Sequence, residues 1–143
     1  MKLNISLIPY GALARTVVAI MPYIEESAKR SRGRSSVDDI LKFLFTGQMA
    51  LWVVYDEDSR EAHGHFITEV KQYPQFSMLV IQYAAMLPNH MEQIEDLMQE
   101  YAKDYAVRAG CAGIEFVGRP GWKKHATKYG YQAQSVTYQK FFD

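Results

Sequence analysis

The spacing of apolar residues changes several times along the chain and divides it into extended and helical segments. Leu3, Ile5 and Leu7 alternate with polar residues, which predicts a short, half-buried first strand. From Ala12 the apolar residues recur every three or four positions, so a helix is predicted there. Pro22 lacks an amide hydrogen and is expected to split this helix into two pieces.

A second helical region follows residues 29–34, a stretch without apolar side chains that is expected to be an exposed loop. Ser35 or Ser36 can cap this helix, and Gly47 is placed to end it. Its apolar residues recur at helical spacing and share one face: Val37, Ile40, Leu41 and Leu44.

The middle of the chain has the patterns of extended structure. Residues 50–55 and 61–73 predict the two strands of a hairpin, with a polar turn between them. Residues 76–87 form a long, nearly unbroken apolar run, which is typical of a central strand.

The last third returns to a helical period and then alternates again. A long helix is predicted up to Gly110, followed by a strand over residues 112–117. Because a helix connects this strand to the run at 76–87, the two strands are expected to be parallel. A short helix over residues 122–129 and a last strand over residues 134–142 complete the pattern.

Together these elements predict one α/β domain over residues 1–143. Its sheet would be mixed, mostly antiparallel and twisted, with helices on both faces.

Composition and charge narrow the function classes. Lys and Arg number 16, as do Asp and Glu, so the formal net charge is zero and no global basic field exists for nucleic acid. The chain has one cysteine, Cys111, which excludes an intramolecular disulfide and a Cys-rich metal site. No apolar run is long enough for a membrane span, and no secretory signal is evident. We therefore expect a cytoplasmic protein with no membrane partner.

Two histidines are the clearest candidates for chemistry. His63 and His65 flank Gly64, so on a strand they point to the same face, with Glu69 further along it. Such a pair can bind a metal, or one histidine can act as a general base. No cluster of Cys or Asp joins them, which favours ordinary polar residues over a metal site.

A basic cluster between residues 29 and 34 is the only local positive patch. It contains Lys29, Arg30, Arg32 and Arg34 and could contact nucleic acid or an acidic substrate. Aromatic residues do not interleave with these cations, so a stacking surface is missing. A solvated loop is favoured, and a nucleic-acid partner is not expected.

The order of the elements resembles the GNAT superfamily of N-acetyltransferases over nearly the whole chain. The most specific part is the strand at 112–117, a Gly/Pro loop, and a short helix that ends in Tyr129-Gly130-Tyr131. The resemblance implies a GNAT-like fold and transfer of an acetyl group from acetyl-CoA to a small-molecule or protein amine.

The resemblance also implies where acetyl-CoA would bind. The central strand would meet its pantetheine arm along four residues: Tyr83, Ala84, Ala85 and Met86. In the family a Gly-rich turn at the start of the long helix holds the pyrophosphate. Here the matching residues are Asn89, His90 and Met91, without glycine, and the nearby Glu92 and Glu95 would repel an anion.

Proton-transfer residues follow from the same resemblance. The position of the family's tyrosine acid is Ala126, and the neighbours His125 and Tyr129 are candidate substitutes. The central strand provides no carboxylate or imidazole, so Glu69 or His65 would have to remove the proton from the amine.

A second function class remains open. The alternative is a catalytically silent GNAT-like protein used in binding or assembly, which resembles some tailed-phage proteins with an eroded cofactor turn. In that case the host cytoplasm or the virion would be its location. In either class the protein could form a homo-oligomer.

We predict weak binding of acetyl-CoA, because two carboxylates lie in the first turns of the long helix. The expected dissociation constant is in the high micromolar range or above, about −5 kcal/mol or less favourable. Calorimetric titration of the purified protein measures it. A low-micromolar constant would contradict this prediction.

Overall fold

The computed structural model describes residues 1–87, 91–118 and 122–142. Five strands form one sheet whose spatial order follows the chain: β1 (Leu3–Leu7), β2 (Ala50–Asp56), β3 (Ala62–Gln72), β4 (Ser77–Met86) and β5 (Gly113–Phe116). Neighbours from β1 to β4 are antiparallel, whereas β5 runs parallel to β4. The predicted mixed, mostly antiparallel sheet is therefore confirmed.

Five helices flank the sheet: α1 (Leu13–Ala19), α2 (Met21–Arg30), α3 (Val37–Phe45), α4 (Met91–Arg108) and α5 (Lys123–Lys128). The break between α1 and α2 falls at Ile20, and Pro22 lies in the first turn of α2, where its missing amide hydrogen costs no helical bond. At the start of α3, Ser36 and Asp39 form a capping box in which each side chain accepts a hydrogen bond from the other's backbone amide.

The two faces of the sheet carry separate apolar cores. On one face α1, α2 and α3 pack against β2 and β3 through buried residues such as Ile24, Leu44 and Ile67. On the other face α4 packs through Ile94 and Met98 against a core that contains Trp52 and Phe66. The expectation of helices on both faces is confirmed. Because successive side chains of a central strand enter opposite cores, each central strand is apolar along most of its length.

Two sequence-based boundaries need correction. Lys29 and Arg30 belong to α2, which continues to Arg30, so the basic stretch is only partly a loop. The last strand, predicted over residues 134–142, is absent: these residues have no regular secondary structure up to residue 142, and their side chains are exposed. Their alternating pattern is real, but a strand needs a neighbouring strand, and none of the strands in the described ranges pairs with them.

No helix in the described ranges is long and apolar enough to cross a bilayer.

Candidate active site

The most unusual feature of the sheet is the early separation of β4 from β5. The parallel pairing covers only four residue pairs and ends where Ile81 faces Phe116. Beyond this point β4 continues for five more residues to Met86, while β5 stops and Val117 is almost fully exposed. Among the residues that the structure describes, no strand therefore pairs with one side of the second half of β4.

A β-bulge next to the last β4–β5 pair determines which backbone groups of β4 face away from β3. The β3–β4 register shifts between Ile67 and Thr68, so that Gln82 is the extra residue on β4. Further along, the amide of Leu87 donates to the carbonyl of His63 on β3 at 2.9 Å. Because backbone groups alternate along a strand, Ala84 and Met86 turn theirs to the side that β5 has left.

The predicted pantetheine contacts, Tyr83 to Met86, all lie on this open half of β4. Their side chains point into the two cores. The hydroxyl of Tyr83 forms a 2.6 Å hydrogen bond with Ser35, Ala85 is buried, and Ala84 and Met86 pack on the α4 side. The strand therefore presents its backbone, rather than its side chains, to the gap between β4 and β5.

The predicted pyrophosphate site is only partly visible. Asn89 and His90 lie outside the described residues, and Met91 is the first residue of α4. Glu92 is exposed in the first turn of α4, but Glu95 faces inward and is buried. Of the two carboxylates expected to repel a pyrophosphate, only Glu92 remains available to do so.

Glu95 forms the centre of a charged contact between α4 and α5. Its carboxylate accepts hydrogen bonds from Lys128 Nζ and His125 Nδ1, both at 3.0 Å. Burial by itself would raise the pKa of Glu95, but the hydrogen bond from Lys128 and the adjacent positive charge hold that pKa below its ordinary value. Glu95 is therefore a carboxylate anion that fixes α5 in place.

The two candidate substitutes for the family's tyrosine take part in the same contact. His125 is engaged with Glu95, and the Tyr129 hydroxyl donates to Asp96 on α4. Burial, together with that hydrogen bond, raises the pKa of Tyr129 to about 12. A phenol with this pKa is a poor proton donor near neutral pH. The contacts of His125 and Tyr129 are those of residues that join two helices.

His65, one of the two candidate bases, is fully enclosed between β3 and α2. Its Nε2 lies 2.8 Å from Ser27 Oγ and 3.2 Å from the carbonyl of Tyr23. Loss of solvent lowers the pKa of His65 to about 4, so the ring is neutral at physiological pH. A base must reach the acceptor amine, and this position supports a structural role for His65 instead.

His63 is also buried, and it is the extra residue on β3 where the β2–β3 register shifts between Val54 and Tyr55. Within the part of the chain that the structure describes, no three His, Cys, Asp or Glu side chains converge as metal ligands would.

Glu69 is the predicted site residue in the most accessible position. It is half-buried, and its two carboxylate oxygens accept hydrogen bonds from Gln48 at 2.9 Å and Gln82 at 3.0 Å. Gln82 is the bulge residue, so the carboxylate of Glu69 lies beside the point where β4 and β5 separate. It does so on the face covered by α1, α2 and α3.

The basic cluster lies closer to this site than its sequence suggested. Arg30 Nη1 donates to the carbonyl of Ala84 at 3.1 Å, which is one of the groups on the open side of β4. Arg34 reaches the side chain of Gln139 in the C-terminal segment. Nothing in the spacing of these cations indicates this placement, because it depends on how α2 packs across β4.

Comparison with solved structures gives the class of the fold. Glucosamine-6-phosphate N-acetyltransferase from Arabidopsis thaliana superimposes with a TM-score of 0.68 and 13% identity, covering all of both chains. An aminoglycoside acetyltransferase from an uncultured soil metagenomic sample gives 0.72 and 13%, also over both full chains. AAC(6')-Iy, solved with the bisubstrate analogue CoA-S-monomethyl-acetylneamine, gives 0.70 and 11% over 99% of this chain and all of its own.

These similarities establish that the chain has the fold of GNAT acyltransferases, as its order of elements predicted. No protein-family model matches the sequence, and no curated protein resembles it in sequence. The names of these neighbours give no support to the phage-like subtype.

We predict that buried His65 makes the stability of this protein fall on mild acidification. Its pKa in the folded state is about 4, against about 6.5 when unfolded. Below pH 6.5 the unfolded chain therefore binds a proton that the folded chain excludes. The free energy of unfolding should drop by about 2 kcal/mol between pH 7 and pH 5 from this group. Urea unfolding at several pH values measures the slope.

His65→Gln should remove this contribution to the slope, whereas His63→Gln, at the other buried histidine of β3, should retain it. An unchanged slope in His65→Gln would show that another group causes the pH dependence.

Proposed function

We propose that this protein transfers an acetyl group from acetyl-CoA to an amine. The observation that carries the proposal is the open side of β4, where the backbone groups of Ala84 and Met86 have no strand partner. Unpaired backbone in a sheet is costly unless water or a ligand satisfies it. The GNAT fold and the acetyltransferase names of its neighbours support the same activity.

Acetyl-CoA would supply an activated thioester, and its pantetheine arm carries amides that can pair with a strand edge. The residues that would hold it are Ala84, through its backbone amide, and Met86, through its backbone amide and carbonyl, because the carbonyl of Ala84 already accepts from Arg30. The start of α4 fits the pyrophosphate less well, because Glu92 is exposed there. This arrangement is consistent with a cofactor that is aligned at its acyl end and bound weakly overall.

Glu69 is the residue we assign to removing the proton from the acceptor amine. It is half-buried next to the bulge residue Gln82. One carboxylate oxygen accepts from Gln48 and the other from Gln82, and each oxygen keeps a second lone pair that can accept a proton. Arg30 lies on the same half of β4, at the carbonyl of Ala84, and would favour an acceptor that carries negative charge in addition to its amine.

A catalytically silent binding protein is the second candidate. It is favoured by Ala126 at the position of the family's tyrosine acid and by the engagement of His125 and Tyr129 in contacts with α4. Such a protein would keep the fold without turnover of acetyl-CoA for any amine.

The role of the open strand is tested by Ala84→Pro. Proline removes an amide hydrogen that faces the gap and leaves the hydrogen bonds to β3 in place, so the fold should persist. We expect acetyl-CoA binding and acetyl transfer to fall at least 10-fold. Calorimetry and release of the CoA thiol, with a panel of amines at high acetyl-CoA concentration, provide the two measurements.

Ala84→Ser retains the amide and is the matched control, expected to behave like the unaltered protein. If Ala84→Pro stays folded and binds acetyl-CoA normally, the gap is not the binding site. Absence of turnover in the unaltered protein with every amine would favour the silent protein.

Glu69→Gln tests the proton acceptor with almost no change in shape. We expect the rate of transfer to fall about 10²-fold while acetyl-CoA affinity stays constant, and the loss to be smaller at high pH, where the amine is already deprotonated. Glu61→Gln, an exposed carboxylate at the opposite end of β3, is the control. Equal rates for both variants would exclude Glu69 as the base.

A further inference from the structure

Three consecutive residues on the open half of β4 each contact a polar side chain from another element. The contacts are Glu69 with Gln82, Ser35 with Tyr83, and Arg30 with the carbonyl of Ala84. Because a strand rises about 3.3 Å per residue, the first and the last of these contacts are roughly 7 Å apart along β4. The proposed proton acceptor therefore has a guanidinium cation at a short spacing from it on the same strand.

The guanidinium of Arg30 is held at two points and keeps part of its donor set unused. Its Nε donates to Glu26 one helical turn earlier at 3.2 Å, and its Nη1 donates to the carbonyl of Ala84 at 3.1 Å. An arginine has five N–H donors, so one on Nη1 and both on Nη2 remain. None of the described residues accepts from these three donors. The side chain is 40% exposed, so a ligand can reach them.

The backbone that carries Arg30 is fixed to the sheet on both sides of this residue. Three positions earlier, Ser27 Oγ lies 2.8 Å from Nε2 of His65 on β3. Five positions later, Ser35 Oγ lies 2.6 Å from the hydroxyl of Tyr83 on β4. Arg30 is thus presented to the open half of β4 by a rigid segment, and little conformational freedom is lost when its unused donors bind a ligand.

We propose that Arg30 is the specificity-determining residue of the acceptor site and that it selects an amine that also carries a carboxylate. This inference rests on the proposed acetyl transfer, because Glu69 fixes where the amine lies. The amine would be at Glu69 and the carboxylate at the unused donors of Arg30. An ω-amino acid with about four methylene groups spans such a separation, whereas an α-amino acid is too short.

A carboxylate fits this cation better than a phosphate does. The planar guanidinium can pair with both oxygens of a carboxylate through two parallel hydrogen bonds. Glu26 already offsets the charge of Arg30 through their ion pair. A dianionic phosphate would therefore meet repulsion from Glu26 that a singly charged carboxylate meets at about half the strength.

Matched acceptors test the role of the carboxylate. 5-Aminovalerate and its neutral amide, 5-aminovaleramide, have the same length and the same terminal amine. We expect the unaltered protein to acetylate the acid with a kcat/KM at least about 10-fold higher than the amide. Glycine, whose amine and carboxylate are separated by one carbon, should be a poor acceptor. Equal kcat/KM values for the acid and the amide overturn the proposal, and so does a preference for 3-aminopropyl phosphate over the acid.

Variants of Arg30 assign the preference to this residue. Arg30→Met keeps an unbranched stem and should lower kcat/KM for the acid by roughly 10- to 100-fold, so that the acid loses its advantage over the amide. Arg30→Lys keeps the charge without the planar fork and should retain only part of the preference. Arg108→Met is the matched control, because Arg108 also ends a helix and pairs with an acid four positions earlier. Both arginines are exposed, so the variants should fold, which circular dichroism checks.

Binding of the acid without acetyl-CoA separates this proposal from the proposed activity. In an NMR titration, 5-aminovalerate should bind the unaltered protein and Arg108→Met at least about 10-fold more tightly than Arg30→Met. Arg30-dependent binding without any acetyl transfer would overturn the activity and support the carboxylate site. Transfer to the acid and the amide at equal rates would overturn the carboxylate site and support the activity. Absence of both binding and transfer would overturn both.

Discussion

The parting of β4 from β5 after four residue pairs is the constraint on which the candidate site depends. A continuous sheet would pair every backbone group of β4 with a strand, whereas among the described residues no strand pairs with the outer side of Ala84 and Met86, where Arg30 donates to the carbonyl of Ala84. The open half of β4 is held from the other side by β3 at very close range. A Cβ on Gly64 would come within 2.7 Å of the carbonyl oxygen of Ala85, so only glycine allows this approach. The strand can therefore be unpaired on one side and still be rigid.

Charged contacts with α4, together with the packing of Trp122 and Tyr131 against Phe116, place α5 next to the long helix α4. None of the residues of α5 is buried, and a six-residue helix has little stability of its own. Its position depends on Glu95, which accepts from both Lys128 and His125, and on the bond from Tyr129 to Asp96. The same contacts explain why the polar residues of α5 face α4: a buried carboxylate such as Glu95 needs cationic partners.

The two sides of the site differ in charge. Arg30, at the end of α2, contacts β4 at the carbonyl of Ala84, while Glu92 is exposed at the start of α4. In a GNAT fold this combination would favour a negatively charged acceptor on one side and would weaken the hold on a pyrophosphate on the other. The proposed specificity and the predicted low cofactor affinity thus have a common electrostatic basis.

The periodicity of the chain determined most of the fold, because burial on one or two faces imposes a repeat that can be read from apolar spacing. It located all five strands and the long helix, the parallel β4–β5 pair and the break near Pro22. It also placed Tyr83 to Met86 on β4, the strand with an open side. Their selection as pantetheine contacts came from the resemblance to GNAT proteins.

The spacing of residues does not determine how deeply each side chain is buried or which partners it contacts. Only the packed tertiary structure decides these two properties. His65 and Glu69 share one face of β3 in the sequence pattern, yet α2 encloses the first and leaves the second near the gap. Glu95 is one carboxylate among several until Lys128 approaches it from 33 positions away. The segment at 132–142 has the pattern of a strand, but a strand exists only where another backbone pairs with it. That partner is a tertiary or quaternary property, because hydrogen bonding between strands joins residues that are distant along the chain.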